Sequence, residues 1–230
     1  ILSLILQLRM LKQVLMVIFH GCTLPRGWER MYPNYAGSEA VLASENLIFS
    51  QHACDNEAFN ATLHPFIRNA VGCMEFGGVF LNKRLNRGND GGTTRRTTDI
   101  FQLATAVLFQ NPIQNFALAP NNLADAPGVC IDFMKQMPTI WDETRFIDGY
   151  PGRYVVLARR HGDVWYVAAV NATTEPLKLK LSLPMLPAGD VVSVYLDDKK
   201  LQPQQKEQKI KTDGTLQLTV QPMGGAVIVK

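Results

Sequence analysis

The chain is poor in the residues that build metal ribbons and redox centres. Its four cysteines, Cys22, Cys54, Cys73 and Cys130, form no C-x-x-C pair and no zinc-finger spacing. That excludes a zinc ribbon or thioredoxin-type motif and leaves them as small apolar side chains suited to burial. Charge is also sparse, at 19% of the 230 residues, and unevenly placed. Residues 1–150 hold 12 Lys/Arg against 13 Asp/Glu, whereas residues 151–230 hold 11 against 7. The basic part carries neither an Arg-rich helix nor an RNP-like aromatic pattern, so nucleic acid is not an expected partner. No apolar run of membrane-spanning length is present: ILSLILQLRMLKQVLMVIF is broken by Arg9 and Lys12, and no small-residue cleavage site follows. No membrane span is expected, and a helix over about 2–12 leads into a strand. The glycine-rich stretch at 86–92 (NRGNDGG) lacks the Lys-Ser/Thr of a phosphate-binding loop and reads as a flexible connection.

What the chain does have is a change of period near residue 150. Before it, brief apolar runs alternate with helical spacing. VLMVIF at 14–19 has the composition of a strand buried on both faces. TTDIFQLATAVLF at 97–109 has a cap signal and then apolar residues at helical spacing. IQNFALA at 113–119 reads as a short strand, and 122–137 as a helix interrupted or restarted at Pro127-Gly128. This alternation predicts a parallel sheet or barrel. From Gly149-Tyr150-Pro151-Gly152 onward RYVVLARR, DVWYVAAVN, PLKLKLSL, DVVSVYLD, TLQLTV and GAVIVK are short strands between turn residues, which predicts an antiparallel sandwich. The Leu-Lys alternation at 177–181 implies one buried and one wet face, and the Gln- and Lys-rich stretch 202–209 reads as a solvated connection.

Candidate chemistry gathers after the first strand. His20, followed by Gly21, stands at the carboxyl end of VLMVIF, where α/β barrels build active sites. Arg26, Trp28, Arg30 and Tyr32 in the next loop offer an aromatic face and charged partners to a sugar ring, or equally pack the loop. Glu39, Glu45, Asp55, Glu57, Glu75, His52 and His64 fall in the same region. Glu57 lies in CDNEAFN, and Glu75 in VGCMEFGG, where a second strand can present an acid at its end. Two acids at successive strand ends coordinate calcium through oxygen or divide acid and base work on a glycosidic bond; solvated loop acids show the same spacing. Trp141-Asp142-Glu143-Thr144 reads as a helix cap, with Asp142 or Glu143 at the helix N-terminus.

Three segments, FHGCTLPRGWERMYPN at 19–34, MEFGGVFLNK at 74–83 and WDETRFIDGYPGRYVVLARR at 141–160, together resemble glycoside hydrolase family 97, and the resemblance runs from about residue 14 to the C-terminus. Family members combine an N-terminal β-supersandwich, a catalytic (β/α)8 barrel and a C-terminal β-sandwich. The resemblance therefore implies a fold class of α/β plus all-β: the later part of a (β/α)8 barrel over 1–140, a connection over 141–150 and an antiparallel β-sandwich over 151–230. It implies the C-terminal portion of a periplasmic or secreted enzyme that hydrolyses α-glucosides or α-galactosides with the help of Ca2+, its partner an oligosaccharide or α-glycoside substrate. Glu57 and Glu75, 18 positions apart, resemble the family's calcium-binding glutamates. His20, Arg26 and Trp28 are the expected substrate-binding residues. Gly21 stands where inverting members carry a base Glu, Ile18 where retaining members carry a nucleophilic Asp, and residues 77–83 contain no carboxylate for a general acid. No catalytic residue is assigned on this basis. The alternative is a non-catalytic carbohydrate-binding protein or an inactive truncated homologue.

Overall fold

The structure, a computed structural model, describes residues 9–10, 12–13, 15–22, 24 and 27–230. The helix expected over about 2–12 falls largely outside them. The first ordered strand, β1 (Val17–Phe19), pairs in parallel with β2 (Tyr35–Ser38). Two single parallel bridges continue the same direction, Ser38 to Met74 and Gly78 to Phe116. No closed ring of strands is present among the described residues, so the barrel half of the expected class is not displayed as a barrel. The strand expected at 113–119 reduces to that one bridge. Its partner segment leaves the ladder at Val79, whose φ of +64° is incompatible with extended pairing.

The helices that follow β2 are α1 (Asn46–Phe49), α2 (Gln51–Leu63), α3 (Asp99–Leu108), α4 (Asn122–Asp125) and α5 (Gly128–Gln136). The cap signal at 97–99 works as written, because the Thr98 hydroxyl accepts from the Phe101 amide, 3.1 Å away. Every residue from Ile100 to Leu108 is buried, the pattern of a helix enclosed on all sides.

The C-terminal part is a six-stranded antiparallel sheet of order β3-β4-β5-β10-β7-β8, faced by a two-stranded ribbon β6-β9. The sheet strands are β3 (Glu143–Tyr150), β4 (Tyr154–His161), β5 (Val164–Asn171), β7 (Val191–Asp197), β8 (Pro203–Lys209) and β10 (Gly225–Val229); the ribbon is β6 (Leu177–Ser182) and β9 (Thr215–Val220). Two expectations are corrected here. Residues 143–150 are neither a connection nor a capped helix but the edge strand β3, with Glu143 opposite Arg160 on β4 and their side chains paired at 3.3 Å. The preceding helix stops at Gln136, because the residue before Pro138 is pushed out of helical geometry. The stretch at 202–209 is likewise a strand, β8; its Gln and Lys side chains mark an edge that resists further pairing.

The strands β4 as far as Ala158, β5 as far as Val170, and β10 are apolar because their sheet is covered on both faces. Val155 and Leu157 on β4, Ala168 on β5 and Val227 on β10 enter one core with α3 and with Ala58 and Ala61 of α2. Their neighbours Val156, Ala158, Val167, Ala169 and Ile228 enter the other, with Leu179 and Leu181 of β6 and Leu216 and Leu218 of β9. Side chains alternate between two interiors rather than between interior and water. The ribbon keeps a wet face: on β6 Lys178 and Lys180 are exposed and Leu179 and Leu181 are buried, and on β9 Gln217 and Thr219 are exposed. Helix and sheet meet most closely at Gly225, where a Cβ would lie 2.5 Å from the Ile100 carbonyl oxygen. Among the described residues no helix is long and apolar enough to cross a membrane. All four cysteines are free thiols, with Cys54 and Cys130 buried.

Candidate functional site at the parallel strand ends

Parallel strands deliver the residues that follow them to one rim. Here β1 delivers His20, β2 delivers Glu39, the bridge at Met74 delivers Glu75, and the bridge at Phe116 places Asn115 beside it. Glu45 joins from the loop between β2 and α1. His20 Nε2 lies 2.9 Å from Glu75 Oε2, and His20 Nδ1 lies 3.7 Å from Glu45 Oε1 and 3.8 Å from Glu39 Oε2. His20, Glu45, Glu75 and Asn115 border a cleft of about 230 Å3 with Phe76 and Phe80 among its walls, and Glu39 stands behind His20.

The local backbone explains the convergence. The Glu39 amide bonds to Phe19 O at 2.8 Å and the Glu75 amide to Ser38 O at 3.1 Å, so each acid sits one step along its neighbour's strand. Gly21 adopts φ +55° and turns its N–H back to Glu39 Oε2 at 3.1 Å, a conformation that favours glycine. Beneath the rim, buried Arg68 donates to the carbonyls of Ser38, Glu39, Gly72 and Cys73, which ties the end of β2 to the approach of Glu75.

Glu75 is 3% exposed, and burial raises its carboxyl above the ordinary glutamate range, opposed by the nearby His20. Its Oε2 is close to the imidazole but off the line of a hydrogen bond, so it has no aligned donor. Its Oε1 receives only a long 3.5 Å contact from Asn115. A buried, weakly satisfied carboxylate calls for a proton or a cation. His20, Glu39 and Glu45 each offer a ligand atom within 4.8 Å of the others. With Glu75 alongside, this oxygen-rich set fits a hard cation such as calcium better than a soft metal.

The two glutamates expected to share that ion are not equivalent. Glu57 faces inward from α2, wholly enclosed, with Oε2 accepting from Thr97 at 2.8 Å and Oε1 from Gln102 at 2.5 Å. Burial raises its pKa, and both oxygens accept hydrogen bonds from protein donors. Trp28 meets Phe19 and Tyr35 edge-on at 6.1 and 6.0 Å and does not border the His20 cleft. Arg26 lies outside the described residues, and Arg30 is exposed. Asp55 pairs with Arg96 at 2.7 Å on the surface, and exposed His52 bonds to Asn56. His64 is buried between Phe76 and Phe109, which drops its pKa to about 4. Sequence reasoning singled out neither Asn115, Phe80 nor Arg68, since each acts through a loop or bridge that carries no periodic signal.

Residues 140–229 match the family described as glycosyl-hydrolase 97 C-terminal, oligomerisation. The chain is 34% identical over 172 residues to a "Probable retaining alpha-galactosidase" of Streptomyces bingchenggensis, covering 72% of this chain and 24% of that protein. It is 33% identical over 165 residues to a "Retaining alpha-galactosidase" of Bacteroides thetaiotaomicron, covering 70% and 24%. Among solved structures, a beta-arabinopyranosidase matches with 72% identity and a TM-score of 0.91 over 94% of this chain and 34% of that one. A glycoside hydrolase family 97 enzyme from Pseudoalteromonas sp. strain K8, in complex with panose, shares the fold at 24% identity and a TM-score of 0.76, over 93% and 34%. The chain thus spans 24% of the length of these curated relatives and 34% of these solved chains. The matches fall on the C-terminal part of the relatives, and residues 140–229 belong to the C-terminal domain family of glycoside hydrolase 97.

Proposed function

We propose that this chain supplies the later part of a (β/α)8 barrel and the C-terminal sandwich of a calcium-assisted glycoside hydrolase acting in the periplasm or outside the cell. The observation that carries this reading is the meeting of His20, Glu75 and Asn115, each at the end of a parallel strand or bridge, around one cleft, with Glu39 3.8 Å from His20. The substrate class is a β-L-arabinopyranoside or α-D-galactoside. The relatives' names agree chemically where the arabinose is the L-sugar, because β-L-arabinopyranose has the ring stereochemistry of α-D-galactopyranose without the exocyclic hydroxymethyl group.

In this reading Glu39, Glu45 and Glu75 hold the cation, and Glu57 does not. Bound calcium supplies a fixed positive charge against the negative charge that develops on the leaving oxygen. His20 and Asn115 hydrogen-bond sugar hydroxyls, Gly21 N–H fixes the Glu39 carboxylate, and Phe80 offers an apolar face to the ring. Ile18 and Gly21, where the family resemblance places carboxylates, favour a second reading, a site that binds sugar without turning it over.

Calorimetric titration of calcium into the chain, with and without Glu75→Gln, tests the first reading together with hydrolysis of nitrophenyl β-L-arabinopyranoside and α-D-galactopyranoside. Loss of one carboxylate ligand is expected to weaken calcium at least about 10-fold. Unchanged calcium affinity in Glu75→Gln rejects the cation site. Sugar binding without release of nitrophenol selects the second reading.

A further inference from the structure

A second site lies apart from the sugar cleft, between the edge of the six-stranded sheet and the segment that follows α2. Arg159 of β4 is 3% exposed, yet no carboxylate lies within ion-pair distance of it among the described residues. Burial lowers its pKa to about 10. Its partners are neutral: Nη2 donates to Leu108 O at 2.7 Å, and Nη1 to Thr144 Oγ1 at 2.8 Å and to Gln110 Oε1 at a loose 3.4 Å. Nε has no partner.

The other two buried arginines show what a completed environment looks like. Arg95 bonds three carbonyls and the Asp99 carboxylate, and Arg68 engages carbonyls with all three nitrogens. A buried cation without a counter-charge is costly, and a hydrogen-bonded anion would offset that cost.

Arg159 also lines a cavity of about 210 Å3 shared with Thr144, Gln110 and Asn69, and walled by Phe66 and Phe146. The Thr144 hydroxyl accepts from Arg159 and keeps its own proton to donate, and the Gln110 amide nitrogen has no acceptor of its own. Phe66 and Phe146 meet edge-on at 5.8 Å and supply an apolar flank.

We propose that this cavity is a binding site for a small carboxylate with an apolar body, seated on Arg159, Thr144 and Gln110. The carboxylate replaces the loose Gln110 contact with a charge-assisted one, and the body lies on the two phenylalanines. The source is either a free monocarboxylate or an acidic side chain of a second copy of this chain.

The probe is benzoate, with benzamide as its neutral isostere, followed by thermal unfolding at constant ionic strength. Benzoate is expected to raise the midpoint by several degrees while benzamide does not. Arg159→Met is expected to abolish the rise. Thr144→Val, at an exposed position, is expected to weaken benzoate about 10-fold, read as the benzoate response relative to benzamide in the same variant so that any change in its baseline stability cancels. A benzoate response equal to that of benzamide, or one unchanged in Thr144→Val, overturns the proposal. Sedimentation distinguishes the two sources. A dimer that benzoate dissociates identifies the side chain of a second copy, and a monomer that benzoate stabilises identifies a free anion. A dimer that benzoate neither dissociates nor stabilises counts against the site.

Discussion

Asp197 ties the two halves of the molecule together, and replacing it with Asn should change how stability depends on pH. It ends β7, is 2% exposed, and accepts from the Thr98 hydroxyl at 2.6 Å and the Gly225 amide at 3.2 Å. Thr98 is also the N-cap of α3, so one carboxylate joins the start of the buried helix to the strand beneath it. Burial outweighs those two donors and raises the Asp197 pKa from 3.8 to about 6. Because the folded value is the higher, the stability this residue contributes is complete below about pH 4 and is lost as pH rises through about 6. A shift of two units corresponds to about 3 kcal/mol. Asn keeps the acceptor that Thr98 and Gly225 need and carries no charge. Asp197→Asn should therefore match the parent near pH 4 and exceed it by about 3 kcal/mol near pH 7.5. Urea unfolding of both proteins across this range measures the difference. Asp55, Glu143 and Asp213, whose pKa values are lowered by Arg96, Arg145 and Thr215 respectively, push stability the other way but cancel in the comparison. A difference that stays flat with pH, or an Asn variant that is less stable near pH 7.5, would refute the argument.

Gly225→Ala should destabilise the chain by about 3 kcal/mol, since the added methyl must displace helix backbone rather than a side chain; a urea midpoint within error of the parent would contradict that close approach. Glu57→Gln should leave calcium affinity unchanged, and once pH exceeds the raised folded-state pKa of Glu57 it should raise the unfolding midpoint because a buried charge is gone; a fall in calcium affinity would place Glu57 in the cation site.

The sandwich was legible because its signals are local. The strands at 154–161, 164–171, 177–182, 191–197, 215–220 and 225–229 each carry their own period and turn residues. The strand at 203–209 escaped notice because an edge strand facing water has the composition of a loop. The strand at 143–150 escaped because its acidic start mimics a helix cap until Arg160 is known to lie opposite. That β4, β5 and β10 face two interiors became visible only when α3 was seen against one side of the sheet and the β6–β9 ribbon against the other.

The site divides along the same line between local and long-range information. His20 and Glu75 were readable because each ends its own apolar run, and a run of Val, Ile and Phe announces both a strand and the place where it stops. Glu57 is harder to place, because its spacing from Glu75 says nothing about which way α2 faces, and α2 turns it toward Thr97 and Gln102, 40 and 45 positions away. Glu39 needed more than its own segment: it reaches His20 because β1 and β2 are parallel and adjacent, which register decides and composition does not. Glu45 and Asn115 owe their places to a loop and to a single bridge. A residue at the end of its own strand can be found from sequence, whereas one brought in by its neighbour's register cannot. The rim around His20 contains both kinds, so a cation bound there would report on strand register as directly as on the carboxylates that touch it.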